Sequence, residues 1–348
     1  MTQHPEPRSQ PLSTDDRTAG VESRSAVWTR HWATGASHSC PGTYGELYGG
    51  AIATFWREVL SPLQRGQNVL DIATGNGALP RLLLGQHHEI EVDAIDIAAV
   101  EPSWILDLPP AHRHRVRFHP GQAAEALPFP AGRFDLVISQ YGLEYSDLSR
   151  SVPELLRVLV PAGRIALLLH HADSRPVRLA AVELAPIEWL QSPQGLLRAA
   201  EAMFEPLSRA TTPEGRASLS ADPAAEATRV HFNAAQDALK ARVMQFGSDG
   251  ADVLFETQDA VTQMFGLALQ EGARLARDRF QAVFTTLSDA QLRLDELRRH
   301  ALPADGLDEL LKRLRSAGRQ VSAGTTYDGK HLMGWHVRST PEGGIVSQ

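Results

Sequence analysis

Cysteine is nearly absent: Cys40 is the only one in 348 residues. The chain can therefore form no internal disulfide and offers no cysteine framework for zinc. Lysine is almost as scarce. Of 34 basic residues only Lys240, Lys312 and Lys330 are lysines, so the cationic surface is arginine and no lysine stands out as a Schiff-base former. No run approaches the ~20 consecutive apolar residues of a membrane span, and residues 1–20 lack the apolar stretch of a secretory signal. The expectation is a cytoplasmic protein with no membrane partner. An excess of positive charge is missing too. The 34 basic and 41 acidic side chains give a formal net charge of -7, which provides no general attraction for nucleic acid. No His/Cys constellation with metal-ligand spacing is visible, so no metal is expected.

Aromatics make up only 6% of the chain, yet Trp28, Trp32, Tyr44, Tyr48, Phe55 and Trp56 fall close together. Residues 1–24, ahead of all of them, carry almost no large apolar side chains and read as a disordered tail. Residues 25–60 read as an N-terminal helical segment, in which the two tryptophans pack a helix onto the core and AIATFWREVL is spaced as an amphipathic helix. From 61 to 175 strand-like runs at 68–72, 91–97, 116–119, 134–139 and 164–171 alternate with helical runs at 78–84 and 150–159. That order predicts an α/β fold, a parallel sheet with crossover helices. The alternation stops at 176. From there to 302 the chain is rich in Ala, Leu, Arg, Glu and Gln at helical spacing, a helical insertion or cap. Its stripe of Met244, Phe246, Phe255, Met264 and Phe265 fits a helical core or one wall of a substrate pocket. Residues 303–340 are expected to rejoin the core as a helix at 307–316 and two strands, 320–323 and 331–338, joined at Asp328-Gly329.

The informative segment is Val69-Leu70-Asp71-Ile72-Ala73-Thr74-Gly75-Asn76-Gly77-Ala78, an apolar strand that runs into a turn with two glycines and then a helix. Such a turn lies at the carboxyl end of the first strand, where open parallel sheets bind ligands. The next strand ends in Asp96, about twenty residues further on, where a carboxylate accepts hydrogen bonds from ribose hydroxyls. Both features point to a nucleoside. A dinucleotide fits less well, because Pro80 stands where the third glycine of G-x-G-x-x-G would be. Asp71 suits a cationic amino acid better than a pyrophosphate.

At these residues the sequence resembles the class I S-adenosylmethionine-dependent methyltransferases, in particular the methyltransferases of ubiquinone and menaquinone type. VLDIATGNGALP is similar to their first motif, AIDIA to the ribose-binding end of strand two, AEALPFPAGRFDLVIS to the segment leading through strand four, and LLRVLVPAGRIALLL to the helix and strand five. The resemblance covers about residues 50–173, with a weaker return at 307–338. It implies a Rossmann-like, doubly wound, mostly parallel seven-stranded sheet with S-adenosyl-L-methionine as cofactor. It also implies that Asp71, Ala73, Gly75 and Gly77, with Thr74 and Asn76 of the same turn, surround the methionine part. Asp96 would hold the ribose and Ile97 would pack on the adenine. Gln122, beside Ala123, would hold the adenine amino group, with Glu125 as the alternative. Gln140 and Tyr141, after strand four, would pass under the transferable methyl.

Three further residues are candidates for catalysis. Glu144 follows the strand-four loop, and His170 and His171 end strand five, where alternation lets only one of the two face the site. A structural histidine and a general base are both open readings. Tyr44, Tyr48 and Tyr145 are candidate substrate contacts, the first two as part of a lid. The expected activity is transfer of a methyl group to oxygen or nitrogen of a small or medium-sized organic acceptor under the helical cap. A protein or peptide methyltransferase that uses the insertion for recognition and a non-catalytic cofactor-binding scaffold are the alternatives, and the insertion is a candidate homodimer surface.

Overall fold

Strands whose successive side chains are all apolar must be covered on both faces, and the sheet is built that way. The computed structural model describes residues 14–36, 49–86 and 89–341. Its strands are β1 (Asn68–Ile72), β2 (Glu91–Asp96), β3 (Val116–Pro120), β4 (Phe134–Gln140), β5 (Leu159–Leu169), β6 (Arg319–Asp328) and β7 (His331–Pro341). They form one sheet in the order β3-β2-β1-β4-β5-β7-β6. β1 to β5 pair in parallel, and β7 runs antiparallel between β5 and β6. The order reverses at β1, so the carboxyl ends of β1, β2 and β4 border a crevice.

The helices before and within the sheet are α1 (Thr14–Ala33), α2 (Gly50–Leu60), α3 (Ala78–Gln86), α4 (Pro110–Arg113) and α5 (Leu148–Val158). Leu70, Ile72, Val137, Ile165 and Leu167 share a core with Val152 and Leu155 of α5 and with Leu307, Leu310, Leu311 and Leu314. The alternate residues Val69, Val92, Leu136, Ile138, Ala166 and Leu168 pack on α2 and α3 through Ile52, Trp56, Leu60, Leu79 and Leu83. The period of two along each strand thus divides the apolar residues between two helical layers.

The sheet is interrupted after β5 by α6 (Arg175–Gln191), α7 (Leu196–Arg209), α8 (Pro213–Ser220), α9 (Pro223–Phe246), α10 (Ser248–Glu271) and α11 (Ala273–His300). These helices enclose a core of their own, with Leu190, Leu197, Phe204, Leu254, Val261 and Phe280 buried in it. Phe246, Met264 and Phe265 pack against that core, whereas Met244 is 87% and Phe255 48% exposed. α12 (Ala304–Ser316) leads back to the β6–β7 hairpin, whose turn residue Gly329 has φ 55. Among the described residues no helix is long and apolar enough to cross a membrane.

α1 corrects the sequence reading. It begins at Thr14, inside the segment expected to be a disordered tail, and Arg24 at that segment's end is bonded to the insertion. Its polar composition hid it because its partners lie far away in the sequence. Tyr44, Tyr48 and Cys40 lie outside the described residues.

Candidate active site

The crevice holds a cavity of about 330 Å³. Its floor is the carboxyl edge of the sheet: Ile72, Ala73 and Thr74 after β1, Asp96 and Ile97 after β2, and Gln140, Tyr141 and Gly142 after β4. One wall is the loop from Gln122 to Ala126, and Tyr145 closes an end. The remaining wall is α1, through Arg24, Trp28 and Trp32.

The backbone is bent sharply where it meets this floor. Ala73 has φ 58 and Tyr141 φ 53, the non-glycine residues with positive φ among those described, and both border the cavity. Such conformations cost about 1–3 kcal/mol each and are held only by surrounding structure, which is why they gather at sites. Tyr141 is held by its hydroxyl, which donates to the Met333 carbonyl at 3.1 Å, and by its ring, which stacks on His170 at 4.2 Å.

Two carboxyls are buried under the glycine turn. Asp96, 5% exposed, accepts from the Gly75 amide at 2.8 Å and the Ala98 amide at 2.9 Å. Burial pushes its pKa up to about 6, against the lowering effect of those amides. Asp71 accepts from the Thr74 hydroxyl at 2.6 Å. Burial pushes it up to about 8, and the Asp96 charge adds to the rise.

Ala73, Thr74, Asp96, Ile97, Gln122, Ala123, Gln140, Tyr141 and Tyr145 all border the cavity, as does Glu125. Glu125 is engaged by the Asp147 amide at 2.8 Å, whereas the Gln122 amide nitrogen reaches only the Pro120 carbonyl at 3.3 Å. The other expected cofactor contacts lie elsewhere. Asp71 sits beneath the floor. Gly75 does not border the cavity, and a Cβ there would stand 2.6 Å from the Trp32 ring. A Cβ on Gly77 would meet Phe118 and Trp104. Asn76 points outward and donates to the carbonyls of Trp32 and Ala36, both at 2.8 Å. Protein packs closely on both glycines; the Gly75 amide holds Asp96 and the Gly77 amide donates to the Thr74 carbonyl at 3.0 Å, so of this turn only Ala73 and Thr74 border the cavity.

None of the three catalytic candidates borders the cavity. Glu144 and His170 form a buried pair behind Tyr141 and Tyr145: Glu144 Oε1 lies 2.8 Å from both the His170 amide and its Nδ1. His171 projects to the opposite face, as strand alternation requires. It stacks on Trp335 at 4.1 Å, and its Nδ1 accepts from the Asp173 amide.

Sequence reasoning missed the α1 wall and its support. Trp28 and Trp32 were expected to be core packing, but they stack on each other at 5.8 Å and border the cavity. Their spacing with Arg24, every fourth residue, is the signal that could have shown one helical face. Trp56 was read only as part of an amphipathic helix, yet its indole N–H donates to Gln140 Oε1. An indole can only donate, so the Gln140 oxygen faces Trp56 and the amide NH2 faces away. That nitrogen is buried and has no hydrogen-bond partner among the described residues.

The fit of a cofactor is set by these features. Asp96 ends β2 at the cavity floor, Ile97 adjoins it, an amide and a carboxylate stand in the Gln122–Ala126 wall, and the volume is that of one ligand of moderate size. The family model of the methyltransferase domain matches residues 69–163. Demethylmenaquinone methyltransferase of Thermus thermophilus is 36% identical over 103 residues, 29% of this chain and 46% of that protein. The ubiquinone/menaquinone biosynthesis C-methyltransferase of Stutzerimonas stutzeri is 31% identical over 141 residues, 38% of this chain and 55% of that protein. Among solved structures, the 1,6-didemethyltoxoflavin N1-methyltransferase of Burkholderia thailandensis aligns at 24% identity, with a TM-score of 0.37, over 48% of this chain and 69% of that one. The chain spans about half the length of the relatives it matches. Motif, sheet order and family model converge on residues 69–163, and this segment is similar to the domain of the class I S-adenosylmethionine-dependent methyltransferases.

Proposed function

We propose that the protein transfers a methyl group from S-adenosylmethionine to a small or medium-sized organic acceptor. The observation that carries this reading is the crevice at the switch point of the sheet, with Asp96 buried in its floor and Gln140 and Tyr141 at the end of β4 beside it. Bound there, the cofactor supplies a methyl already activated on a sulfonium. What remains for the protein is alignment and exclusion of water.

The residues on the wall suit those tasks. Asp96 can accept hydrogen bonds from a ribose, and its second lone pairs remain available while the Gly75 and Ala98 amides hold it in place. Trp28, Trp32, Tyr141 and Tyr145 provide an aromatic lining that keeps water out. The Gln140 amide nitrogen, aimed by Trp56, is a donor for an oxygen of the cofactor or the acceptor. Among the described residues no histidine borders the cavity. An acceptor oxygen or nitrogen, whose lone pair attacks the methyl carbon directly, is the proposed target. The relatives named for carbon methylation make a carbon acceptor the competing outcome.

The test is calorimetric titration with S-adenosylhomocysteine, followed by incubation with isotopically labelled S-adenosylmethionine and a panel of small hydroxylated, amino and phenolic acceptors. Binding together with label transfer to a small molecule supports the reading. Binding with label transfer only to protein substrates would replace it with a peptide methyltransferase. Binding without any transfer points to a scaffold.

A further inference from the structure

The inference rests on the reading that the cavity holds the cofactor, and it concerns what keeps α1 over it. α1 crosses the cavity, and its second half touches the core at each end of that crossing. The Ser25 hydroxyl donates to the Ile97 carbonyl at 2.7 Å, and the Ala99 amide donates to the Thr29 hydroxyl at 2.9 Å. At the other end the Trp32 ring covers Gly75, and Asn76 holds the helix terminus. These anchors are neutral hydrogen bonds and one ring contact.

The charged anchors of α1 come from the insertion. Arg30 donates two bonds to Asp289, at 2.6 and 2.7 Å. Arg24 Nε donates to Glu296 Oε1 at 2.5 Å, and Trp28 Nε1 donates to Glu296 Oε2 at 3.3 Å. A single carboxylate therefore orients two residues of the cavity wall. Arg24 also reaches the Tyr145 carbonyl at 3.0 Å and His300 Nε2 at 3.3 Å, and His300 stacks on Tyr145 at 5.3 Å. Asp289, Glu296 and His300 are spaced by seven and four residues, so they share one face of α11. Asp289 and Glu296 are each 8% exposed. Burial and the Arg24 charge hold the His300 imidazole below its ordinary pKa, in keeping with its place as an acceptor beside Arg24.

We propose that Asp289 and Glu296 are positioning residues for cofactor binding: the insertion reaches across α1 and clamps Arg24, Trp28 and Arg30 so that the helix forms the fourth wall of the cavity. The insertion is then part of the cofactor site as well as the cover of the acceptor. Both groups act through α1 and lie outside the cavity wall. Charge-assisted bonds of this kind are about twice as strong as neutral ones, and Arg24 and Arg30 of α1 both make theirs to the insertion.

S-adenosylhomocysteine titration of the full chain tests the proposal. Both partners of Glu296 are donors only, so in Glu296→Gln the new NH2 must face one of them. Its dissociation constant is expected to rise about tenfold, equivalent to about 1.4 kcal/mol. Asp289→Asn is expected to act in the same direction, and the exchange Arg30→Asp with Asp289→Arg to bring affinity back close to wild type. A purely structural role would not give that recovery. Hydrogen exchange of the wild-type protein provides a readout without mutation: bound S-adenosylhomocysteine is expected to slow exchange in α1 and also at residues 289–300. Folded single variants with wild-type affinity, or a ligand that protects α1 but leaves 289–300 unchanged, would overturn the clamp while the cofactor reading stands. Wild-type protein that binds no S-adenosylhomocysteine would instead overturn the cavity reading beneath it.

Discussion

The methyl group of Ala73 fills the space in which a side chain on Gly142 would begin. The two residues come from the ends of β1 and β4, neighbouring strands of the sheet, and their contact sets how closely the two loops approach at the cavity floor. Ala73 does this from a left-handed conformation, φ 58, that costs a non-glycine residue about 1–2 kcal/mol.

Gly142→Ala is therefore expected to destabilise the protein by about 1–3 kcal/mol, the scale of overpacking. In an Ala73→Gly background the obstructing methyl is gone, and most of that loss should vanish. Denaturant melts of the two single variants and the double variant measure the coupling. Additive effects would show that the two loops do not share this space.

Asp96→Ala removes the acceptor of two amides as well as the carboxylate in the cavity floor. S-adenosylhomocysteine affinity is expected to fall by about 1.5–3 kcal/mol, the value of hydrogen bonds to a charged group. Calorimetry on protein with a wild-type circular dichroism spectrum provides the measurement. Unchanged affinity would remove Asp96 from the ribose site.

Much of this site was legible because its parts are local or periodic. The turn at Gly75 and Gly77, Asp96 at the end of β2, and the return of β7 after a long helical segment all leave short-range patterns. The site's outer wall left none that could be read alone. Arg24 and Glu296 are 272 residues apart, and Arg24 belongs to a polar stretch that looks unstructured until α11 supplies its acceptor. Gly75 carried a signal with a second cause, since the packing of Trp32 on it leaves no room for a side chain. His170 and His171 were separable only in part. Alternation tells that they diverge, but only the partners, Glu144 on one face and Trp335 on the other, tell where each goes.

The buried acids predict how stability depends on pH. Burial raises Asp71 from an ordinary value of 3.8 to about 8, and Asp96 to about 6. An acid whose folded pKa is raised binds more protons folded than unfolded. Its contribution is fully present below about pH 4 and is lost as pH rises through the folded value. The melting temperature of the cofactor-free protein should accordingly fall between about pH 4 and 8 as far as these groups determine it. Asp71→Asn, which stays neutral, should flatten that decline and melt above wild type at pH 9. An unchanged slope in thermal scans across this range would mean that Asp71 ionises without penalty.

The insertion can be removed cleanly, because its two ends meet. The Leu302 amide donates to the His170 carbonyl at 2.8 Å, and the Ala172 amide donates to the Leu302 carbonyl at 3.1 Å. A short Gly/Ser linker can thus replace residues 175–300 without stretching β5 away from α12. Since the helices of the insertion enclose their own core and the sheet keeps its two helical layers, the shortened chain is expected to fold and melt in one cooperative transition. It loses Asp289, Glu296 and His300, so α1 keeps only its neutral anchors. Binding of S-adenosylhomocysteine should weaken by about tenfold or more, the equivalent of at least about 1.4 kcal/mol, and methyl transfer to the native acceptor should disappear. Circular dichroism, calorimetry and label transfer measure the three outcomes separately. A shortened protein that kept full acceptor turnover would show that the insertion neither shapes the acceptor pocket nor supports α1.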